Sequence, residues 1–395
     1  MKHIQPIHPF PARMAPEIVL EEFASIPQSG VVLDPMTGSG TVLREASERG
    51  FTCIGYDLDP LAVLMSRVWN TPIDVNALRA AVAEIAETAE SLDANDVVLP
   101  WVDSDPPTQA FIDFWFGAEQ KRDLLRISSV LSHLDGPISD ALRIAMSRII
   151  ITKDRGASLA RDVSHSRPHR VRTNNDFRVF AEFVRSVEWL ALRLERQPPK
   201  GRVSVYLGDA RNMSEILPNS IDAVITSPPY LNALDYMRGH KLALVWLGYK
   251  VSDFQAFRAS SIGAERGLIN HSLARLVEQI GAPLVRLRDL PKRERAMVDR
   301  YVLDLLTLLA EIHRILRLDG KAVLVVGNSC IRGVFVENTL AVTSIAKRVG
   351  LKLEVSRERD LPPNRRYLPP PTSEGSSSLQ KRMRTETVLT FRRAW

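Results

Sequence analysis

The sequence predicts an α/β protein built on a doubly wound, mostly parallel sheet with an inserted helical subdomain. Two short apolar segments, at 31–33 and 51–57, each precede a segment of helical periodicity, and further apolar segments follow at 203–210, 222–226 and 321–329. Strands that alternate with helices in this way favour a parallel sheet covered by helices on both faces. Between them, residues 61–200 show mostly helical periodicity and no convincing strand.

Each element of the sheet follows from a local pattern. The first strand ends in the glycine-rich turn DPMTGSGT at 34–41, which leads into a helix, and the second strand ends at Asp57 before another helix. A helix at about 298–317 precedes the 321–329 strand. The last two apolar segments, LKLEVSRERD and TETVLTFRR, predict an antiparallel hairpin, and the Pro-, Ser- and Arg-rich segment between them predicts a mobile surface loop.

Length and composition bound the organisation. The chain has 395 residues, of which 45% are hydrophobic and 25% are charged. This is the composition of an ordinary globular protein, and the length allows more than one domain. We expect one domain from 1–60 and 201–395, which carries the sheet, and a helical insertion at 61–200. Two cysteines argue against a disulfide scaffold and fit a reducing compartment. No apolar leader or membrane-spanning run is present, so we expect a cytoplasmic protein.

The modest net charge of +6 conceals a segregation of charge along the chain. Residues 84–119 contain nine acids and no Lys or Arg, whereas 143–172 contain eight Lys or Arg and two acids. A basic stretch of this kind suits an anionic partner, but it is equally compatible with a solvated surface. The sequence leaves these two interpretations open.

Three acidic residues follow predicted strands that lie in one sheet. Asp34 and Asp57 end the first two strands, and Asp209 ends the third. Ligands of doubly wound sheets bind outside the carboxyl ends of the strands, where the glycines of the turn let the backbone approach closely. Asp34 suits an amino group, Asp57 suits ribose hydroxyls and Asp209 suits the exocyclic amine of an adenine. Each acid alone could instead be a turn or cap residue.

The segment TSPPY follows the buried strand DAVI. Its two prolines donate no N–H and have a fixed φ, so the backbone is stiff and its carbonyls remain available as acceptors. Ser227 Oγ and the Pro228 carbonyl can accept both hydrogens of an amine conjugated to a ring, and Tyr230 can stack on that ring. Binding both hydrogens pulls the nitrogen lone pair out of conjugation with the ring, and the nitrogen becomes a nucleophile. A plain Pro-Pro turn is the simpler alternative, and the chain has several.

Four motifs, DPMTGSGT, GYDLDP, LGDAR and TSPPY, occur in this order on the predicted elements. Together they resemble those of S-adenosylmethionine-dependent methyltransferases that act on exocyclic amino groups of DNA bases. TSPPY resembles the SPPY version of that family's catalytic tetrapeptide, which leans towards cytosine N4 rather than adenine N6. The segment at 8–17 resembles its N-terminal cofactor segment, with Pro16 at the start of the next helix. The resemblance covers roughly 1–60 and 203–395.

The resemblance implies a Rossmann-like class I methyltransferase sheet, S-adenosyl-L-methionine as cofactor and base flipping of double-stranded DNA. It assigns cofactor binding to Phe10, Pro11, Asp34, Pro35, Thr37, Gly38, Gly40, Thr41, Asp57, Leu58, Asp209 and Ala210. It assigns catalysis to Ser227, Pro228, Pro229 and Tyr230. A cognate restriction endonuclease is a further possible partner.

The insertion departs from the family's usual arrangement, because only about 17 residues separate Asp209 from Ser227. The segment that reads the target is therefore open between 143–178 and 250–300. In the first, the candidates for phosphate contact are Arg167, His169, Arg170 and Arg172.

Alternative functions remain at this point. The chain could methylate adenine N6, RNA or a protein glutamine, or it could be a catalytically silent nucleic-acid-binding module. Methylation at cytosine C5 has no support, because neither Cys53 nor Cys330 lies in a Pro-Cys pair, and no spacing of His and Cys predicts a metal site.

Overall fold

The computed structural model describes residues 4–10, 13–27, 30–152, 155–161, 168–200, 202–231, 237–263, 290–331, 334–361 and 385–394. The predicted loop between the last two strands lies almost entirely outside these residues. In the part of the chain described, no helix combines the length and the hydrophobicity needed to cross a membrane.

Along the chain, a series of helices separates the first two strands of the central sheet from the other five. The helices, numbered in chain order, are α1 Pro16–Glu22, α2 Thr41–Ser47, α3 Pro60–Asn70, α4 Val75–Ser91, α5 Pro100–Asp103, α6 Pro106–Trp115, α7 Ala118–Ser132, α8 Pro137–Ile150, α9 Val179–Arg196, α10 Met237–Leu244, α11 Phe254–Ser260, α12 Lys292–Ile315 and α13 Asn338–Arg348. The strands are β1 Val31–Asp34, β2 Thr52–Asp57, β3 Ala160–Arg161, β4 His169–Arg170, β5 Arg202–Leu207, β6 Ile221–Thr226, β7 Leu316–Val326, β8 Ser329–Ile331, β9 Val334–Val336, β10 Leu351–Asp360 and β11 Thr385–Arg393.

The central sheet has seven strands in the order β10-β11-β7-β6-β1-β2-β5. From β7 to β5 the neighbouring strands are parallel, and β10 and β11 complete the sheet as antiparallel strands. This confirms the predicted architecture, a Rossmann-like, mostly parallel sheet with a C-terminal antiparallel hairpin. The strand order reverses between β1 and β6, so the crevice for a ligand lies at their carboxyl ends.

Apolar side chains cover the sheet on both faces. One core contains buried residues of β1, β6, β7 and the helices α12 and α13, and the other contains residues of α1, α2 and the opposite faces of the same strands. The central strand β6 is buried along almost its whole length, as expected for a parallel strand between two helical layers. The sheet therefore holds the ends of β1 and β6 in a fixed position.

The segment between β2 and β5 consists mainly of the helices α3–α9, as predicted. It also contains the two-stranded antiparallel sheet β3–β4, so the expectation that it would contain no strand was wrong. Two-residue strands cannot show the alternation on which sequence patterns depend. The division of the chain at 61 and 200 stays a prediction, since the helical core also includes Ile7 and the buried side chain of Trp246.

Candidate functional site

The ends of the two central strands are joined by a hydrogen bond between side chains. Thr226, the last residue of β6, donates its hydroxyl to Asp34 Oδ1 at 2.7 Å, and the Met36 backbone N–H donates to the same oxygen at 3.1 Å. Asp34 and Thr226 are both buried. The glycine-rich turn after β1 and the TSPPY segment after β6 are therefore held together directly at the point where the strand order reverses.

Burial controls the protonation of Asp34. Desolvation raises its pKa to about 7, although the hydrogen bonds from Thr226 and Met36 act in the opposite direction. This carboxyl therefore keeps its proton to a much higher pH than an exposed aspartate does. A cation bound beside it would favour the ionised form and form a charge-assisted hydrogen bond.

The glycine-rich turn takes a shape that only glycine accommodates at two positions. Gly38 has φ +51°, and a Cβ at this residue would lie 3.0 Å from the ring of Phe10. Gly40 has φ +86°, and a Cβ there would lie 2.5 Å from Ser66 Oγ. These positive φ angles and close contacts fold the turn tightly between β1 and α2. Pro35, Thr37 and Thr41 lie in the same turn, and the Thr37 backbone N–H donates to the Tyr56 carbonyl at 2.9 Å.

Asp57 at the end of β2 completes the wall of this turn. Its carboxylate accepts the Gly38 N–H at 2.8 Å and the Asp59 N–H at 2.9 Å. Burial, followed by the charge of Asp59, raises its pKa to about 6. Leu58 follows directly and is partly buried. The structure thus brings two of the three predicted strand-end acids to one turn.

Phe10 of the N-terminal segment lies against this turn. Its ring is 5.7 Å from the ring of His240, and Asp59 forms a hydrogen bond with His240 Nδ1. His240 belongs to α10, which follows the TSPPY segment. No sequence pattern marks this histidine, because its partner is 181 positions away along the chain. Pro11 lies outside the described residues.

Asp209, the third strand-end acid, is held by an arginine. Its carboxylate accepts bonds from Arg211 Nε at 3.0 Å and from a terminal guanidinium nitrogen at 2.6 Å. The same guanidinium reaches Asp304 of α12 at 2.5 Å and donates to the Ser260 carbonyl. Asp304 in turn accepts the Gly263 N–H at 2.9 Å. Arg211 is the last residue of the LGDAR motif, but Asp304 could not be found from the sequence.

The TSPPY segment begins with a serine that is anchored to the neighbouring strand. Ser227 donates its hydroxyl to the Val325 carbonyl of β7 at 3.1 Å, so the lone pairs of Oγ remain for an incoming donor. Pro228 is buried, whereas Pro229 and Tyr230 are partly exposed. Tyr230 packs on the core that includes the fully buried Tyr301. This arrangement presents acceptors and an aromatic ring beside the glycine-rich turn.

Two hydroxyls of the turn are buried with no hydrogen-bond partner among the residues described, namely Ser39 Oγ and Thr41 Oγ1. Buried polar atoms are normally paired, and the exceptions call for a ligand or water. Together with three strand-end acids, they fit a polar ligand that carries an amine and hydroxyls. Ala210 is buried directly after Asp209 at the far side of this site.

The environment of Cys53 agrees with the expectation from the sequence. Cys53 is buried within β2, and desolvation raises the pKa of its thiol to about 12. A thiol that stays protonated does not act as a nucleophile. The side chain of Cys330 lies outside the described part of the structure.

The predicted phosphate-contacting residues lie on the helical segment. His169 and Arg170 form β4 and are exposed, Arg172 is partly buried, and Arg167 lies outside the described residues. The Arg170 guanidinium lies 4.7 Å from the centre of the Phe114 ring of α6. The structure thus places Arg170 beside an aromatic side chain of the acidic stretch.

The chain is similar to one bacterial and one archaeal methyltransferase. It is 22% identical over 398 residues to the Type II methyltransferase M.MvaI of Kocuria varians, and the match covers 91% of this chain and 84% of that relative. It is 27% identical over 97 residues to the Type II methyltransferase M.MjaII of Methanocaldococcus jannaschii, covering 24% of this chain and 18% of that relative. No protein-family model matches the chain.

Among solved structures, the chain is similar to an S-adenosylmethionine-dependent methyltransferase from Methanosarcina mazei. The superposition has a TM-score of 0.35 at 8% identity and covers 96% of this chain and 98% of that one. At this TM-score the similarity carries no inference about the site.

Proposed function

We propose that this protein is an S-adenosylmethionine-dependent DNA methyltransferase that methylates the exocyclic N4 of cytosine. The observation that carries the proposal is the Thr226–Asp34 hydrogen bond, which joins the TSPPY segment to the glycine-rich turn. Methyl transfer requires the acceptor amine and the methyl donor to be held in contact. The similarity to two Type II methyltransferases supports a DNA methyltransferase that uses this cofactor. The choice of cytosine rests on the resemblance of TSPPY to the SPPY tetrapeptide.

The strand-end acids would bind the two ends of the cofactor. Asp34 accepts the ammonium of the methionine part, and Asp57 accepts the ribose hydroxyls. At the adenine, Asp209 accepts the exocyclic amine, while the Arg211 pair holds the carboxylate in place. Gly38 and Gly40 allow the backbone of the turn to lie against the ligand, and Phe10 closes it from the other side.

The TSPPY segment would hold the target base. A cytosine that leaves the helix exposes its amine, whose two hydrogens bond to Ser227 Oγ and to the Pro228 carbonyl, while Tyr230 stacks on the ring. Extrusion costs a few kcal/mol, which stacking and these hydrogen bonds offset. Because the two acceptors bind the amine hydrogens, the nitrogen lone pair is left free to point towards the methyl group.

The reaction needs no covalent intermediate with the protein. When bound, S-adenosylmethionine would supply a methyl carbon activated by its sulfonium. The amine nitrogen would bond to this carbon as the carbon–sulfur bond breaks, the sulfur would keep the bonding electrons to give S-adenosylhomocysteine, and the nitrogen would release one proton to solvent. The residues of the chain align the amine and exclude water. On the DNA side, His169, Arg170 and Arg172, with Arg167, would contact phosphates.

The test is the chemical position of the transferred methyl group. Incubation of the protein with duplex DNA and S-adenosylmethionine labelled in the methyl group should yield labelled N4-methylcytosine on nucleoside analysis. N6-methyladenine in its place would retain the DNA methyltransferase and reject the choice of base. Label at cytosine C5, or no transfer to any DNA, would overturn the proposal.

A serine variant separates the TSPPY segment from the fold. Ser227→Ala removes an acceptor that contacts the amine, so turnover should fall about 100-fold, which corresponds to the loss of one electrostatic contact in the transition state. Its affinity for S-adenosylmethionine should not change. Ser91→Ala, at the end of α4, is the matched control and should retain full turnover.

A further inference from the structure

Two aromatic side chains and three basic side chains form one surface across β4, α6, α10 and α11. We call it the aromatic-basic surface, and it consists of Phe111, Phe114, Arg170, Lys241 and Arg258; Phe254 is buried in the core beneath Lys241. Residues three apart on a helix share a face, so Phe111 and Phe114 of α6 lie side by side. Lys241 lies over the first and Arg170 over the second. Two basic groups from distant parts of the sequence thus meet on one helix.

Lys241 is the centre of this surface. Its ammonium lies 4.4 Å from the centre of the Phe111 ring and 5.7 Å from that of Phe254. Burial, and then the nearby charge of Arg258, lower its pKa. Within the part of the chain that the structure describes, no carboxylate lies at ion-pair distance from Lys241. The aromatic faces offset only part of the cost of a half-buried cation.

The acids near this surface are engaged elsewhere. Asp113 is the acidic residue of α6, and it pairs with Lys121 of α7 at 2.5 Å. Asp105, directly before α6, accepts two bonds from Thr108, from its hydroxyl at 2.5 Å and its N–H at 3.2 Å. These two acids therefore do not neutralise Lys241. An anion from another molecule would supply the missing negative charge.

The surface and the candidate site share helix α10. Lys241 lies in α10, the helix that follows the TSPPY segment, and the preceding residue, His240, contacts Phe10 and Asp59 beside the glycine-rich turn. An anion on Lys241 would therefore bind at the helix that also reaches the candidate cofactor site. The partner that brings regularly spaced anions and flat rings together is a nucleic acid.

We propose that the aromatic-basic surface binds the DNA backbone next to the flipped base, with Lys241 on a phosphate. The proposal rests on the proposed function. It joins the two segments that the sequence left as alternatives, because Arg170 lies in 143–178 and Arg258 lies in 250–300, while Lys241 belongs to the helix between the TSPPY segment and 250–300. Phosphate contacts position the duplex and carry no base specificity.

The salt dependence of DNA binding tests this assignment. Lys241→Met keeps an unbranched chain over Phe111 but removes the charge. Fluorescence anisotropy with a labelled duplex, over a series of salt concentrations, should show weaker binding by about tenfold and a salt slope smaller by about 1, as expected for one lost phosphate contact. Lys241→Arg should restore most of the binding. An unchanged slope in Lys241→Met would overturn the proposal.

A control variant and a second surface variant distinguish a lost phosphate contact from a loss of folding. Lys347→Met removes an exposed charge from α13 and should change neither the affinity nor the salt slope. If Lys241→Met unfolds, Arg170→Gln, at an exposed position, should reduce the salt slope in the same way. Tighter binding of RNA than of duplex DNA of equal length would also overturn the proposal.

A different measurement tests the proposed function. S-adenosylmethionine affinity, measured by calorimetry, should be the same in the unmodified protein and in Lys241→Met. A protein that binds DNA through this surface but transfers no methyl group would reject the proposed function and retain the surface. If the unmodified protein methylates DNA, and its DNA binding depends on salt as that of Lys241→Met does, the proposed function is retained and the role of the surface is rejected.

Discussion

The two ends of the candidate cofactor site hold their carboxylates in opposite environments. Asp34 is buried and Asp57 is partly buried. Both accept hydrogen bonds from neutral donors, and desolvation raises the pKa of both. Asp209 is partly exposed and lies in a bidentate ion pair with Arg211. The same residue type thus stands at three strand ends, but among the residues described only Asp209 has an arginine at hydrogen-bond distance.

The difference indicates which part of a ligand suits each end. A buried carboxyl without a cation gains most from a ligand that brings a positive charge, because the charge replaces the lost hydration. A carboxylate that is already paired keeps lone pairs for a neutral donor, and its orientation is fixed by the arginine. The ammonium of a methionine therefore suits the β1 end and the neutral amine of an adenine suits the β5 end.

The largest expected effect comes from Asp34→Asn. The amide oxygen can still accept the Thr226 and Met36 hydrogen bonds, but it cannot neutralise an ammonium. We expect S-adenosylmethionine affinity, measured by calorimetry, to fall about 100-fold, the equivalent of roughly 3 kcal/mol. The affinity for 5′-methylthioadenosine, which lacks the amino acid, should not change. Equal losses for both ligands would contradict the assignment of Asp34 to the ammonium.

The same substitution should stabilise the cofactor-free protein at pH 8. The folded pKa of Asp34 is about 7 and the ordinary value is 3.8, so stability is greatest below pH 3.8 and falls as the pH rises to 7. Asn carries no such penalty, since it does not ionise. The thermal unfolding temperature of Asp34→Asn should therefore exceed that of the unmodified protein at pH 8 and approach it at low pH.

A smaller effect is expected from pH. Below about pH 7 Asp34 holds a proton that must leave before an ammonium can bind, so cofactor affinity should fall roughly tenfold per unit of pH. Below about pH 6 Asp57 adds to the decrease. Calorimetry between pH 5.5 and 8 would measure this, and the Asp34→Asn variant should show a flatter profile above pH 6. If cofactor affinity in Asp34→Asn fell with pH as steeply as in the unmodified protein, the prediction would be contradicted.

The smallest effect is expected at the β5 end, from Arg211→Lys. Lysine keeps the charge but loses the planar fork that holds Asp209, Asp304 and the Ser260 carbonyl at once. We expect a loss of about fivefold in affinity, of the size of one weakened hydrogen bond. In contrast to Asp34→Asn, the loss should be equal for S-adenosylmethionine and 5′-methylthioadenosine. A loss confined to S-adenosylmethionine would break the distinction between the two ends.

Much of the sheet and of the site geometry could be predicted because the signals are local. The hairpin at 351–360 and 385–393 agrees with β10 and β11, and β6 ends at Thr226 directly before Ser227. Helix α12 begins at Lys292, earlier than the expected 298, because its first turn is polar and shows no apolar periodicity. The roles of the site residues stay predictions.

Contacts between distant residues could not be predicted. The segments 143–178 and 250–300 had to be treated as alternatives, yet Arg170 of the first lies over Phe114, and Lys241, shortly before the second, lies over Phe111 of the same helix. The His240–Asp59 and Arg211–Asp304 pairs were not predicted, for the same reason. None of these pairs is marked by a spacing, because side chains far apart in sequence meet only when helices pack.

By itself, the sequence determined which residues end the strands, because strand ends and turns depend on neighbouring residues and on the restricted φ of Gly and Pro. The tertiary structure decided the electrostatic state of those residues. Burial beneath two helical layers raises the pKa of Asp34, and the approach of α12 gives Arg211 its second carboxylate, Asp304. Desolvation and ion pairing depend on what surrounds a charge in space, and a linear pattern does not contain that information.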